Sequence, residues 1–459
     1  MARQFDAIVV GTGQAGPSLA GRLTGAGMKT AVIERKLFGG TCVNTGCTPT
    51  KAMVASARAA YMARRAAEYG VVVDGDVRVD MKKVKARKDE IAGNSNKGVE
   101  GWMKSLDGAT VFEGHARFEE PHTISVNGER LSAERIFLNV GGRALIPPVP
   151  GVDSVPYLTN VSLMDVDFLP EHLVILGGGY IALEFGQMFR RFGSQVTLVQ
   201  RSGRILTRED DDIAEAVEGI LRNEGVAICS DTGDYSVEKQ GDGIRIRMRC
   251  GGSDRTVEGS HLLVATGRCP NTDDLGLDKA GIETDRQGYI KVDDELRTSA
   301  EGVWALGDCN GRGAFTHTSY NDFEIVAANL LDGESRRVSD RVVNYALYVD
   351  PPLGRVGMTE KEVRASGRKA LVATRPMTKV ARAIEKGETQ GLMKALVDAE
   401  TKRFLGAAVL GVGGDEVIHE IAVMIKADAP YTTLQRTVHN HPTVGELVPT
   451  MLEGLKALE

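Results

Sequence analysis

Cysteine is scarce in this chain: there are six in 459 residues, and Cys229, Cys250, Cys269 and Cys309 stand singly. That excludes a disulfide-stapled secreted scaffold, in which cysteines crowd a short chain. Long hydrophobic runs are missing too. No window reaches the roughly 18 uninterrupted apolar residues that a membrane-crossing helix demands, and the apolar run after Met1 is too short for a signal peptide. A cytoplasmic setting without a membrane partner is expected. Positive charge is not in excess: 56 Lys and Arg against 62 Asp and Glu leave a net charge of −6, which removes the electrostatic basis for nucleic-acid binding. Hydrophobic residues at 42% and charged residues at 26% exclude both a disordered chain and a membrane bundle. At about three times the usual domain length, two to four domains are expected.

What is abundant is glycine, 54 residues with no collagen period and no low-complexity block, well above the background of about 7%. Such glycine belongs in tight strand-to-helix turns. Residues 6–10 form a short apolar run that ends in glycine and leads into a helical pattern, and Thr30–Glu34 is a second run. That is a strand, turn, helix, strand unit. Gly11, Gly13 and Gly16 have GxGxxG spacing, with Glu34 about twenty residues on closing the next strand. Glycine lets a pyrophosphate approach the helix N-terminus, and the carboxylate suits ribose hydroxyls. The unit is expected to bind a dinucleotide; the bland alternative is a tight turn with no ligand.

A second copy of this grammar runs through 172–179, a helical stretch at 180–192 and a run at 195–200. There Gly177 and Gly179 are followed by Ala182 where a third glycine could stand, and the strand ends in Gln200 and Arg201 instead of an acid. Arg201, with Arg204 close behind, suits a 2′-phosphate, so NADPH is favoured over NADH at this site. Between the two copies lie a helical segment at 48–68, a charged segment near 81–104 whose Lys82, Lys83 and Lys85 read as a solvated helix face, and strand-like runs at 110–140. The Pro-rich stretch 146–151 marks a boundary. The expected fold class is α/β, with a first unit over 1–150, a second over 151–270, a return to the first over 271–338, and a separate α+β domain over 339–459.

Cys42 and Cys47 are the one local cysteine pair, placed just before the helical segment, with Pro49 suited to its first turn. A thiol near a helix start gains from the dipole, and a lowered pKa favours the thiolate that exchanges with disulfides or stacks against a flavin. Zinc would need two further ligands, and no second Cys or His cluster has the spacing, so no metal site is expected.

The stretch Gly39–Lys51 resembles the redox-active signature of the class I pyridine nucleotide-disulfide oxidoreductases. Gly11–Gly16 is similar to that family's FAD motif, Gly177–Glu184 to its NAD(P) motif, and Ala265–Arg268, which contains Gly267, to its flavin-side segment. Ala305–Cys309, which contains Gly307 and Asp308, resembles its second FAD motif, and His441–Glu446 its dimer-interface catalytic segment. The resemblance implies two Rossmann-like FAD and NAD(P) domains plus a C-terminal α+β dimerisation domain, and hence a homodimer. It further implies that Gly40, Thr41, Gly142, Arg268 and Asp308 belong to the FAD site. Cys42 would be the interchange thiol that attacks substrate, and Cys47 the flavin-proximal thiol. Lys51 would lie near the flavin and pair with Glu184, Tyr180 would gate the nicotinamide pocket, and His441, oriented by Glu446, would be the acid/base presented to the other subunit. His439 has no such carboxylate partner in the sequence and reads as a neighbour only.

The wording around Gly40 and Pro351 is similar to mercuric-reductase-like proteins and to bacterial reactive-chlorine-resistance flavin reductases, yet no cysteine follows Cys309. The resulting reading is an FAD-dependent NADPH:disulfide reductase acting on a small-molecule or protein-bound disulfide. A reductase of Hg(II) or Cu(II), and a flavoprotein that senses redox state through the thiol pair, are the alternatives.

Overall fold

The computed structural model describes residues 1–459. Five parallel strands form the first sheet, ordered Val303–Ala305, Arg135–Leu138, Ala7–Val10, Thr30–Glu34 and Ala109–Glu113. The second sheet repeats that order with His261–Val264, His172–Leu176, Gln195–Val199 and Ala227–Cys229. In each sheet the strand from the glycine loop is central and buried on both faces, which explains its continuous apolar run. Each unit also carries an antiparallel meander at the same point of its chain, Arg117–Ser132 in the first and Ser236–Gly259 in the second. The sequence copies are thus structural copies.

The C-terminal part is a six-stranded antiparallel sheet: Asn344–Leu347, Leu353–Gly357, Phe404–Leu410, Leu392–Asp398, Ala370–Pro376 and Lys456–Ala457. The helix Gly414–Lys426 packs on it through Ile418 and Ile421. Sequence patterning puts strands near 392–397 and 404–410 and a helix near 414–427, close to what is found. It misses the strands at 344–347, 353–357, 370–376 and 456–457.

Two helices tie these layers together. Cys47–Arg64 and Tyr180–Phe192 contribute Met53, Phe185 and Phe189 to one core that also holds Leu353 and Leu410 of the C-terminal sheet. The charged segment is the helix Met81–Ser105, capped by Asp80, whose carboxylate accepts from the Lys83 N–H; Lys82 and Lys83 are exposed on it.

Candidate active site

The first glycine loop has no room for side chains. Gly11 takes φ +99°, a Cβ there would lie 2.3 Å from the Asn139 carbonyl oxygen, and a Cβ on Gly16 would lie 2.1 Å from the Gly11 oxygen. Gly177 repeats this in the second unit, at φ +124° with the Ala265 oxygen 2.4 Å from a would-be Cβ. Glu34 braces the first loop: one oxygen accepts from the Thr12 N–H at 2.9 Å and its hydroxyl at 2.7 Å, the other from the Lys36 N–H at 2.9 Å.

A cavity of about 960 Å³ opens at this loop, at the large end of the roughly 300–1,000 Å³ typical of small-molecule sites. Gly11, Gly13, Glu34, Gly40, Thr41, Gly142, Arg268 and Asp308 all line it. Arg268 donates to the Gly142 carbonyl at 2.6 Å and lies 3.4 Å from Asp308, whose carboxyl burial nevertheless pushes upward. Gly16, Gly267 and Gly307 do not line it: Gly267 is exposed, and Gly16 and Gly307 are buried, the Gly307 N–H donating to buried Asp322 at 2.8 Å. A dinucleotide fits the side-chain-free loop, the carboxylate at the strand end and the volume together.

Cys42 and Cys47 face the same cavity. Cys42 sits in the short helix Gly40–Asn44, and Cys47 is the first residue of the next helix. Gly46 makes the joint possible, since a Cβ there would lie 2.7 Å from the Thr41 oxygen. The two thiols act on each other, and the pair splits. Cys42, together with the Thr316 hydroxyl 3.0 Å away and the Lys51 charge, brings Cys47 down to about 6 against the effect of burial. Cys42, coupled to that thiolate and half-buried beside it, is pushed far up. Titration belongs to the pair, with the negative charge resting on Cys47.

One helical turn on, Lys51 Nζ lies 2.9 Å from Glu184 Oε2 and over the Tyr348 ring at 4.5 Å. Glu184 also accepts from the Tyr348 N–H at 2.9 Å, which fixes the carboxylate. Tyr180 lines the cavity beside Glu184, with its ring 5.7 Å from Tyr345 and 6.2 Å from Phe315. Its phenol donates to Glu209 at 2.6 Å, and burial with the Glu209 charge pushes it up, so it remains a donor.

At the second nucleotide loop, Ala182 is fully buried and the Gln200 side chain lies against Gly178, while Gly179 has open space around it. Arg201 is exposed and has neither hydrogen-bond nor ion-pair partner. Arg204 differs from expectation: it pairs with Asp211 and donates to the Glu209 carbonyl at 2.8 Å, so it is already committed within the loop.

His441 Nδ1 lies 3.1 Å from both Glu446 oxygens. Its side chain is 77% exposed, and neither residue lines the cavity of its own chain. The expectation for His439 needs correcting, because Glu420 of the helix Gly414–Lys426 reaches it at 3.3 Å. That carboxylate lies 19 residues upstream, beyond any local pattern. Cys229 and Cys250 also prove not to be isolated: their thiols meet in the core beside the second sheet, and burial pushes Cys229 up to about 11, leaving it an inert thiol. Thr316, Tyr345, Tyr348 and Glu209 carry no sequence motif and are recognisable only by where the fold puts them.

The family model for pyridine nucleotide-disulphide oxidoreductases matches residues 5–322, and the model for that family's dimerisation domain matches 343–452. The chain belongs to the pyridine nucleotide-disulphide oxidoreductases. The probable pyridine nucleotide-disulfide oxidoreductase RclA of Escherichia coli (strain K12) is 35% identical to it, over 99% of this chain and all of that protein. Mercuric reductase of Bacillus cereus is 31% identical over 98% of this chain and 70% of its own length. Among solved structures, the Cu(II) complex of the HOCl-induced flavoprotein disulfide reductase RclA from Escherichia coli superposes with a TM-score of 0.88 at 34% identity, covering 97% of this chain and 99% of that one.

This oxidoreductase is therefore an FAD-dependent NAD(P)H:disulfide oxidoreductase with the α/β architecture expected from its sequence. The reading as an enzyme holds. The dimerisation-domain match supports a homodimer. No helix is long and apolar enough to cross a membrane.

Proposed function

We propose that the oxidoreductase passes reducing equivalents from NADPH to the Cys42–Cys47 pair and on to a small-molecule or protein-bound disulfide. His441 of the partner subunit moves the proton. The observation that carries this reading is the Cys42–Cys47 thiol pair sharing one cavity with the glycine loop and the Lys51–Glu184 ion pair, with the Thr316 hydroxyl 3.0 Å from Cys47. The domain boundaries proposed with it are 1–150 and 271–338 for the FAD part, 151–270 for the NADPH part and 339–459 for dimerisation.

FAD, when bound, supplies two-electron exchange between a hydride donor and a dithiol. The first glycine loop, Glu34, Arg268 and Asp308 would hold it. Lys51, fixed by Glu184, keeps positive charge beside Cys47, and Thr316 donates to the same sulfur. Cys42 must lose its proton before it attacks, and the base is an imidazole whose Nδ1 is occupied by Glu446, which leaves Nε2 for the thiol. Cys42 then attacks one substrate sulfur, the substrate S–S bond breaks, and a mixed disulfide forms. The departing thiolate takes the proton from the imidazolium. Attack of the Cys47 thiolate on Cys42 releases the second substrate thiolate and closes the Cys42–Cys47 bridge.

The preference for NADPH is supported by Arg201, a free cation at the strand end where a ribose-binding acid is missing. A second reading, reduction of a soft metal ion at the thiol pair, draws on the Cu(II) complex formed by a relative 34% identical. Against it, the mercuric reductase relative is less similar to this chain than RclA, 31% against 35% identical. The deciding experiment is anaerobic NADPH oxidation by the purified dimer with lipoamide, glutathione disulfide, other low-molecular-weight disulfides, Hg(II) and Cu(II), repeated with NADH. Fast turnover of one disulfide is expected. Turnover confined to the metals would overturn the disulfide reading.

A further inference from the structure

Tyr180 begins the helix Tyr180–Phe192, directly after the second glycine loop. Its ring forms part of an aromatic wall with Phe315 and Tyr345, which stack on each other at 5.3 Å. Both tyrosine hydroxyls donate to a single atom, Glu209 Oε1, Tyr180 at 2.6 Å and Tyr345 at 2.8 Å. Glu209 is 2% exposed and comes from the loop before the helix Asp211–Asn223. Its other oxygen has no hydrogen bond at all and only Arg355 within ion-pair range, at 3.6 Å. A carboxylate offers about four acceptor sites, yet this one spends its hydrogen bonding on two phenols. A bond to a charged acceptor is the strong kind, so the Tyr180 ring is pinned where it lies.

The pinning residue is wired to the nucleotide loop. The Leu206 N–H donates to the Gly178 carbonyl at 2.9 Å, the Glu209 N–H to the Leu206 carbonyl at 2.9 Å, and Arg204 to the Glu209 carbonyl at 2.8 Å. From the glycine loop to the carboxylate there is one continuous hydrogen-bonded turn, with Arg201 at its beginning.

We propose that Glu209 is a positioning residue for pyridine-nucleotide entry, a latch that holds the Tyr180 ring across the nicotinamide pocket until the nucleotide displaces it. This rests on the reading of Tyr180 as the gate. Tyr345 shares the carboxylate but is supplied by the C-terminal sheet, so it stays in place when Tyr180 leaves and keeps Glu209 from being stranded without a donor. Because the latched state competes with the nucleotide, apparent affinity is reduced by the fraction of molecules that are open. Loosening the latch tightens binding.

The test uses the FAD-loaded dimer and reads binding, not turnover: the dissociation constant of NADP+ by calorimetry, for the wild type, Tyr180→Phe, Glu209→Gln and the double variant. Tyr180→Phe keeps the ring and removes the bond, and is expected to tighten NADP+ by about tenfold, equivalent to about 1.4 kcal/mol. Glu209→Gln is expected to tighten it in the same direction, and to add nothing in the Tyr180→Phe background. Unchanged or weaker binding in Tyr180→Phe, or an equal effect of Glu209→Gln in both backgrounds, would overturn the latch. Should Glu209→Gln fail to fold because Arg355 loses one of its two counter-charges, Tyr345→Phe replaces it. That change leaves the latch bond intact and is expected not to tighten NADP+; tightening as large as in Tyr180→Phe would refute the proposal. Tyr180→Ala separates the two levels. If it leaves NADP+ affinity unchanged, the gate itself fails; if it tightens binding while Tyr180→Phe does not, the gate stands and the latch falls.

Discussion

Replacing Thr316 by valine tests why Cys47 is the thiolate. The Thr316 hydroxyl lies 3.0 Å from the sulfur and acts on Cys42 as well, so valine of the same shape removes one donor to the thiol pair and little else. Cys42 and Lys51 act on the same atom, and burial opposes all three. A hydrogen bond to a charged acceptor is worth about 1.5 to 3 kcal/mol, and about 1.36 kcal/mol moves a titration by one pH unit. Cys47 is open to the cavity, so solvent screening limits the effect to the low end of that range. Its midpoint is therefore expected to rise from about 6 to about 7. The experiment is done in a Cys42→Ser background, where the serine hydroxyl still donates to Cys47 but no second thiol shares the titration. NMR of isotope-labelled cysteine Cβ against pH distinguishes thiol from thiolate without needing chemical access. A Thr316→Val midpoint within about 0.3 pH unit of the Cys42→Ser parent, far below the shift that bond implies, would refute the reasoning.

Three further outcomes follow from the geometry. His441→Ala is expected to slow steady-state disulfide turnover by about 10² to 10⁴, the usual contribution of a positioned acid or base, while stopped-flow reduction of the Cys42–Cys47 pair by NADPH is far less affected; equal losses in both would remove His441 from its role. Arg201→Ala is expected to raise the KM for NADPH by about tenfold, the loss of about 1.4 kcal/mol of phosphate pairing, and to leave that for NADH alone, whereas parallel changes in both would place the arginine outside the 2′-phosphate site. Arg355→Leu strips a 1% exposed cation from Asp210, 3.0 Å away, and is expected to cost about 3 to 5 kcal/mol in denaturant unfolding. The exposed pair Arg403–Asp428 serves as the contrast, with Arg403→Leu costing less than about 1 kcal/mol.

The sequence is most legible where chemistry and local geometry coincide. Gly11 and Gly177 mark their loops because no other residue fits against Asn139 and Ala265, and strands 7–10 and 172–176 announce themselves because burial on both faces demands unbroken apolar runs. Cys42, Cys47 and Lys51 share one short stretch, and His441 and Glu446 another, so their contacts are set by local chain geometry. Legibility ends where partners come from distant segments. The carboxylate beside His439, the donor on Cys47 and the second phenol on Glu209 arrive from residues 420, 316 and 345, brought there by packing that no local period encodes. Arg204 is the opposite case, a residue whose type suggested a ligand and which the loop uses for itself.

The charges beneath Tyr180 bear on how far this protein is modular. Arg355 of the strand Leu353–Gly357 meets Asp210, and Lys394 of the strand Leu392–Asp398 meets Asp210, Asp212 and Glu360, with both cations almost wholly buried. On the other side, Glu184 takes its cation from Lys51 of the first unit. A fragment cut at 151–270 would keep Glu184, Glu209, Asp210 and Asp212 and lose the three bases that face them, so the nucleotide-binding unit is not a detachable cassette. Swapping it between relatives to change coenzyme would require carrying Lys51, Arg355 and Lys394 along with it.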